Sequence, residues 1–144
     1  MTDIIEDGGT SPHMAARMVV QLDIDNTIDQ ALDFFRWLAK SLRRDGHTVL
    51  IVSSRTRSPE NLKHTARELK DWGIEFDKLV LHPAPAELDP KRLPPGLPPA
   101  HKIYVYKLIA AQDLGTQILF DDCGITTDLF RWHLPGVKVF RLLR

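Results

Sequence analysis

Two aspartates at the end of an apolar run constrain this chain more than any other feature. The largely apolar run Met18–Leu22 is followed by Asp23 and Asp25, two residues apart. In an extended chain, residues two apart point to the same side, and α/β sheets bind ligands at the carboxyl ends of their strands. Two carboxylates so close repel each other unless a cation binds or one keeps a proton. The pair therefore predicts a metal-assisted acid–base site or, more plainly, an acidic turn that ends a strand.

A second acidic pair favours the metal-assisted interpretation. Asp121 and Asp122 directly follow another short apolar run, Ile118–Phe120. Three or more acids gathered at strand ends would repel one another without a cation, so a purely structural explanation is poor. Ser53 also follows an apolar run, Val49–Val52. By itself, this serine is explained equally well as an ordinary cap of a helix or turn.

The hydrophobic pattern alternates between strand-like runs and helical stripes. The predicted strands are Met18–Leu22, Val49–Val52, Phe76–Leu81, Gln117–Phe120 and Val137–Phe140. Helical spacing predicts helices from Ile28 to Asp45-Gly46, from Ser58-Pro59 to Gly73, over about His101–Asp113, and over Thr126–Trp132. Such alternation implies parallel strands joined by right-handed crossovers. The expected fold is a three-layer α/β sandwich around a Rossmann-like parallel five-stranded sheet.

Two stretches need a separate interpretation. Residues 103–106 have strand propensity, but the β-α-β alternation requires a helix there, and we predict one. Residues 83–99 are rich in proline and form a connection that is long for a compact domain. This connection is either functional or a packed cover over one edge of the sheet.

Composition limits the class of protein. The 144 residues suit one domain, residues 18–144, preceded by a flexible tail, residues 1–17. The formal net charge is zero, so no overall field attracts nucleic acid or a membrane, although a local basic patch stays open. Cys123 is the single cysteine, and no apolar run approaches the ~20 residues that span a bilayer. With no secretory signal visible either, we expect a cytoplasmic protein.

In chain order, these motifs resemble those of the haloacid dehalogenase (HAD) superfamily of phosphohydrolases. The first family motif, an apolar run followed by D-x-D-x-T, matches Asp23–Thr27. The second, an apolar run followed by serine or threonine, matches Ser53, and the fourth, paired acids, matches Asp121 and Asp122. The resemblance covers roughly residues 18 to 141, and it implies a HAD-like fold with phosphatase activity.

The third family motif is a lysine near the start of the helix that precedes the last acidic strand. Lys102 and Lys107 both qualify. We prefer Lys102, because its spacing from Asp121 is similar to that in the phosphatase modules of polynucleotide kinase–phosphatases. The run Ser53-Ser54-Arg55 is also similar to the Ser-Gly-Arg of those modules.

The resemblance implies a role for each matched residue. Asp23 would attack phosphorus, and Asp25 would act as general acid and then general base. Mg²⁺ would be held by Asp23, Asp121 and the backbone carbonyl of Asp25, with support from Asp122. Ser53 and Lys102 would stabilise the transferring phosphoryl group. Substrate binding would fall to Thr27, Ser54 and Arg55, although Thr27 also suits a local backbone contact and Arg55 an ordinary surface ion pair.

The chain departs from the family where a flap or cap is expected. The predicted helix begins almost immediately after Thr27, and the stretch between Ser53 and Lys102 is too short for a large cap. A capless site would admit a bulky phosphorylated substrate, such as a nucleotide, a nucleic-acid end or a phosphoprotein, or would use a neighbouring subunit as its lid. The alternative is a non-catalytic binding or regulatory module on the same fold. Substrate identity, hydrolysis against phosphoryl transfer, and oligomeric state stay open.

Overall fold

A parallel sheet of five strands organises the computed structural model, which describes residues 17–143. All but the last residue of the predicted tail therefore lie outside the described residues. The strands are β1 (Val19–Leu22), β2 (Thr48–Thr56), β3 (Lys78–His82), β4 (Ile118–Asp121) and β5 (Lys138–Arg141). The helices are α1 (Leu32–Arg44), α2 (Pro59–Asp71), α3 (Val105–Leu114) and α4 (Gly124–His133). The predicted α/β class and its five-stranded parallel sheet are confirmed.

The strand order places a topological switch point at β1. The order across the sheet is β3-β2-β1-β4-β5, so the chain first builds outward on one side of β1 and then returns to its other side. Leu22 of β1 lies beside Ile51 of β2 and beside Phe120 of β4. Asp23 and Asp121, which come next along the chain, therefore leave adjacent parallel strands at the same level. Ligands of open α/β sheets bind at such switch points.

Helices cover both faces of the sheet and create two apolar layers. Phe35 of α1 and Leu69 of α2 pack with Leu22 and Ile51 on one face. On the other face, Leu50 and Val52 of β2 pack with Tyr106 and Ala110 of α3, and Leu119 of β4 packs with Leu108, Ala111 and the α4 residue Phe130. Successive residues of β2 therefore pack against opposite apolar layers, as expected for a strand that is buried on both faces. Residues 17–143 contain no large cap domain.

Several element boundaries differ from the sequence prediction, and three of these differences are the largest. The helix expected from Ile28 starts as a 3₁₀ turn over Ile28–Gln30, and α1 begins only at Leu32 because the backbone leaves helical geometry at Ala31. Strand β2 continues to Thr56, which pairs with His82 beyond a register shift that follows Val52. The helix expected from His101 begins as a 3₁₀ helix over Pro99–Tyr104 and becomes α-helical at Val105.

Local sequence signals explain where α2 begins and where α3 ends. The Ser58 side chain accepts a hydrogen bond from the Asn61 backbone N–H, and Pro59 occupies the first helical position of α2, as predicted. Gly115 ends α3 with φ of 74°, a left-handed conformation that glycine adopts without steric cost.

The proline-rich connection covers one edge of the sheet. It contains short 3₁₀ turns at Pro85–Glu87 and Pro90–Arg92. Leu88 packs against the apolar layer under α3, and Arg92 donates two hydrogen bonds to Asp113 at 2.8 and 3.0 Å. These contacts favour the packed-cover interpretation. No helix in the described part of the chain is long and apolar enough to cross a membrane.

Candidate active site

Three carboxylates meet where β1 and β4 end. Asp23 and Asp121 are buried, at 5% and 0% exposure. Asp122 follows directly, and one carboxylate oxygen from each of the three lies within 4.8 Å of the others. The Asp23 N–H donates to the Phe120 carbonyl at 3.1 Å, which ties the two strand ends together. Three of the four acids in the two pairs therefore gather at this edge of the sheet, and Asp25 is not part of the cluster.

Lys107 lies between two of these acids. Its Nζ is 2.9 Å from Asp23 Oδ1 and 2.7 Å from Asp121 Oδ2, and the residue is 3% exposed. Burial alone would lower the pKa of Lys107, but the two carboxylates raise it above its ordinary value, so the ammonium stays charged. These two charge-assisted hydrogen bonds fix the position of the Lys107 ammonium between the acids.

The structure thus brings Lys107 to the acids, and not Lys102, which the sequence analysis preferred. Lys102 is exposed and lies in the 3₁₀ helix over Pro99–Tyr104. Among the described residues, no hydrogen bond or ion pair joins it to the acids. Because α-helical geometry begins only at Val105, Lys107 occupies the first turn of α3, where the helix faces the sheet. One sequence signal favoured Lys107: it interrupts an otherwise apolar stretch that α3 buries almost completely.

Burial perturbs the carboxylate of Asp23 strongly. Burial raises the pKa of Asp23 from 3.8 to about 7, Asp121 adds to the rise, and Lys107 opposes it. The Thr27 hydroxyl donates to Asp23 Oδ2 at 3.2 Å. Thr27 reaches back to Asp23 because the chain makes a tight turn between them. In this turn Asn26 has φ of 61°, and the Thr27 N–H donates to the Ile24 carbonyl. Thr27, predicted to bind substrate, is fully buried and here orients Asp23.

Asp25 has a different partner. Arg55 donates to it from Nε at 3.0 Å and from Nη2 at 2.8 Å, a bidentate pair. Arg55 also donates from Nη1 to Glu68 of α2 at 2.7 Å. Hydrogen bonding to Arg55 lowers the pKa of Asp25 below its ordinary value. The structure thus holds Asp25 ionised, while its neighbour Asp23 is pushed toward protonation.

The two serines of β2 have contrasting positions. Ser53 is fully buried, and its Oγ accepts a hydrogen bond from the Arg55 backbone N–H at 3.1 Å. It lies one residue beyond the level of Asp23, at the carboxyl end of the sheet. Ser54 is exposed. Ser53 therefore lies at the edge that holds the acids, while Ser54 points away from the protein interior.

Two residues that support Lys107 were not predicted. Gln21 is fully buried within β1, and its Oε1 accepts a hydrogen bond from the Thr116 hydroxyl at 2.7 Å. Its Nε2 lies 3.5 Å from the Lys107 carbonyl oxygen, at the long limit of a hydrogen bond. Gln21 thus connects β1 with both ends of α3. The signal for it was a polar residue inside an apolar strand.

The donor set of the cluster suits a hard divalent cation. If ionised, Asp23, Asp121 and Asp122 carry three negative charges, and Lys107 offsets one of them. Carboxylate oxygens are the ligands that Mg²⁺ prefers, and Mg²⁺ needs only one or two of them directly because it keeps several waters. The cluster is therefore able to hold such an ion. Asp25, predicted to contribute its backbone carbonyl, has its side chain engaged by Arg55.

Comparisons with known proteins establish the fold and no more than the fold. No protein-family model and no curated protein matches the sequence. Among solved structures, a chain of a Pnkp1/Rnl/Hen1 complex is similar, with a TM-score of 0.61 and 15% identity over 90% of this chain. A chain of the Pnkp1/Rnl/Hen1 RNA repair complex gives a TM-score of 0.60 and 16% identity over 88% of this chain.

A third similar structure is closer to this chain in length. An uncharacterized protein from Corynebacterium glutamicum has a TM-score of 0.58 and 15% identity, with 90% of this chain and 87% of that chain covered. By contrast, this chain spans only 47% and 42% of the two repair-complex chains. The comparisons and the strand order together identify a Rossmann-like α/β fold.

Proposed function

We propose that this chain is a Mg²⁺-dependent phosphatase that hydrolyses a phosphomonoester through an aspartyl phosphate on Asp23. One observation carries the proposal: Lys107 bridges Asp23 and Asp121 inside a buried triple-carboxylate cluster at the switch point of the sheet. The similarity of the fold to chains of a Pnkp1/Rnl/Hen1 RNA repair complex adds support.

In this proposal, Asp23 forms the new bond to phosphorus. One of its carboxylate oxygens attacks while the bond from phosphorus to the leaving oxygen breaks. Lys107 and Thr27 hold the two Asp23 oxygens in place. Lys107, rather than Lys102, then stabilises the transferring phosphoryl group together with the Ser53 hydroxyl. Mg²⁺ bound by Asp23, Asp121 and the Asp25 carbonyl, with support from Asp122, would neutralise charge on the phosphoryl oxygens.

Asp25 moves the protons. It gives one to the leaving oxygen and later takes one from the water that hydrolyses the aspartyl phosphate. Bidentate contact with Arg55 keeps Asp25 ionised, which suits the second step. For the first step, Arg55 has to release Asp25, which then takes up a proton from solvent and passes it to the leaving oxygen. A negatively charged group of the substrate near Asp25 would attract Arg55 away. In this proposal Arg55 belongs to substrate binding, the role that the sequence resemblance implies, by exchanging an internal partner for the substrate.

The open carboxyl end of the sheet favours a bulky substrate. Residues 17–143 contain no cap domain that would enclose a small molecule. A nucleotide or a phosphorylated nucleic-acid end is the first class to test, since one of the similar structures is a chain of an RNA repair complex. The net charge of zero gives no additional support for nucleic acid.

Release of phosphate from an aryl phosphate, with and without Mg²⁺, tests the proposal. Asp128→Asn is a matched control, because the Asp128 side chain is 69% exposed and pairs with Arg131 away from the cluster. We expect Mg²⁺-dependent release by the native chain and by Asp128→Asn, and none by Asp23→Asn. The proposal is contradicted if Asp23→Asn releases phosphate as fast as the native chain, or if release does not depend on Mg²⁺.

The second candidate is a non-catalytic binding module on the same fold. The observation that favours it is the Arg55–Asp25 pair, which occupies the proposed acid–base group. Such a module would bind Mg²⁺ and phosphorylated ligands in calorimetry without releasing phosphate from any member of a panel of nucleotides and 3′-phosphorylated oligonucleotides. Turnover of any panel member that depends on Asp23 excludes it.

A further inference from the structure

Glu68 of α2 contacts the candidate site but has no part in the proposed chemistry. Its Oε1 accepts a hydrogen bond from Arg55 Nη1 at 2.7 Å. The same nitrogen lies 3.4 Å from the Thr65 hydroxyl oxygen, one turn earlier on α2. Hydrogen bonds between two ionised groups are short and about twice as strong as neutral ones. Arg55 is therefore held by α2 as well as by Asp25.

The two acids use different donors of the Arg55 guanidinium. Asp25 accepts from Nε and Nη2, at 3.0 and 2.8 Å, whereas Glu68 accepts from Nη1. A guanidinium presents its donors in a rigid planar fork. An acceptor at Nη1 therefore restrains the whole group and leaves the edge formed by Nε and Nη2 for another partner. That edge suits a carboxylate or a phosphoryl group equally well.

The two acids also differ in how easily a ligand reaches them. The Asp25 side chain is 48% exposed, whereas the side chains of Glu68 and Arg55 are 27% and 22% exposed. Thr65 and Leu69, which lie beside Glu68 on α2, are buried, and Leu69 belongs to the apolar layer between α2 and the sheet. An anionic ligand at the carboxyl end of the sheet thus displaces Asp25 from Arg55 more readily than it displaces Glu68.

We propose that Glu68 is a positioning residue of the candidate site. It holds Arg55 through Nη1 while the edge formed by Nε and Nη2 turns from Asp25 to an anionic group of the substrate. This inference rests on the proposed function, in which Arg55 has to release Asp25. It adds the group that keeps Arg55 in place during the exchange.

A purely electrostatic role of Glu68 predicts a different result from a positioning role. Glu68 carries a negative charge, so its neutralisation would reduce repulsion of an anionic substrate and lower KM. A positioning role predicts that KM rises in Glu68→Gln, which removes the charge, and also in Glu68→Asp, which keeps the charge but draws it back by one methylene. The two variants together separate position from charge.

The KM and kcat of phosphate release from an aryl phosphate, with saturating Mg²⁺, test the inference. Glu60→Gln is the matched control, because Glu60 is exposed on the same helix and has no hydrogen bond or ion pair with the described residues. We expect both Glu68 variants to raise KM about fivefold or more, the effect of losing one charged hydrogen bond, and to change kcat less than about twofold. Glu60→Gln should change neither.

The same substitutions in an Arg55→Gln background show whether Glu68 acts through Arg55. Because the partner is then absent, neither Glu68 variant should change KM further. The inference is overturned if Glu68→Gln lowers KM, if both variants leave KM unchanged, or if the rise in KM persists without Arg55. Circular dichroism confirms that each variant is folded.

A measurement without substrate keeps the inference separate from the proposed function. A native chain that releases no phosphate refutes that function, and the hold on Arg55 is then tested in Asp25→Asn, which imitates the state in which Arg55 has released Asp25. Relaxation of ¹⁵N at Arg55 Nε should report an ordered group in Asp25→Asn and a mobile one when Glu68→Gln is added. Equal mobility in the two proteins overturns the inference.

Discussion

Replacing Asp23 by asparagine is expected to stabilise the metal-free protein while abolishing its proposed activity. Burial raises the pKa of Asp23 from 3.8 to about 7. The folded chain therefore binds a proton on Asp23 more tightly than the unfolded chain does. The free energy of unfolding therefore falls as pH rises from about 4 to 7. Above that range, the folded chain bears the full free-energy cost of keeping Asp23 ionised. Asparagine carries no charge and avoids the penalty.

The structure gives the size of this effect. A pKa change from 3.8 to about 7 corresponds to about 4 kcal/mol at 1.36 kcal/mol per unit. Asparagine replaces one acceptor oxygen by an NH₂ group near Lys107 or Thr27, and a lost hydrogen bond costs about 1 kcal/mol. We therefore expect Asp23→Asn to raise the free energy of unfolding by about 3 kcal/mol at pH 8 without Mg²⁺. The gain should vanish near pH 4.

Urea denaturation at several pH values, in buffer free of divalent cations, measures this difference. Asp25→Asn is the matched control, and its sign is opposite. Because Arg55 lowers the pKa of Asp25, the pair adds stability above the ordinary Asp pKa and loses it as pH falls through the lowered value. The half-exposed pair contributes at most about 1 kcal/mol. A destabilised Asp23→Asn at pH 8 would refute the electrostatic reasoning.

Three further predictions concern single residues. Lys107→Met should lower phosphate release by about 100-fold or more, whereas Lys102→Met should change it less than twofold, as measured by initial rates. Arg55→Lys should raise KM more than it lowers kcat, because lysine cannot reproduce the bidentate contact. Gly115→Ala should cost about 1 kcal/mol in urea denaturation, because φ is 74° with no atom near the added methyl group, while Gly136→Ala, with equally open space, should be neutral.

Each of these predictions has a clear contrary result. If Lys107→Met and Lys102→Met lowered the rate of phosphate release equally, the position of Lys107 between the acids would not matter for activity. A fall in kcat alone for Arg55→Lys would assign Arg55 to the chemical step. Equal stability of Gly115→Ala and Gly136→Ala would mean that the end of α3 relaxes without strain.

The acids could be predicted from sequence because their signal is local. Asp23 and Asp121 each follow an apolar run, and parallel pairing brings the carboxyl ends of such strands to one edge. The apolar runs did not predict that β1 and β4 are direct neighbours. The order β3-β2-β1-β4-β5 results from the crossover after β3, and only this order makes Asp23 and Asp121 adjacent.

Other parts of the site depend on geometry that single residues do not report. The change from 3₁₀ to α-helical winding near Tyr104 decides which lysine faces the sheet, and the sequence pattern, which started the helix at His101, placed Lys102 rather than Lys107 in its first turn. The Arg55–Asp25 pair joins β2 to the turn that follows β1, and it depends on β2 continuing past its apolar run. The sequence pattern ended that strand at Val52.

Identification of a phosphorylated aspartate tests the central claim most directly. The native chain is mixed with an aryl phosphate and Mg²⁺, quenched in acid, and treated with hydroxylamine, and its peptides are analysed by mass spectrometry. The account predicts hydroxylamine-sensitive phosphate on Asp23 alone, with none in Lys107→Met. Phosphate on Asp25 or Asp121, or phosphate release with no trapped phosphate on Asp23, would contradict it.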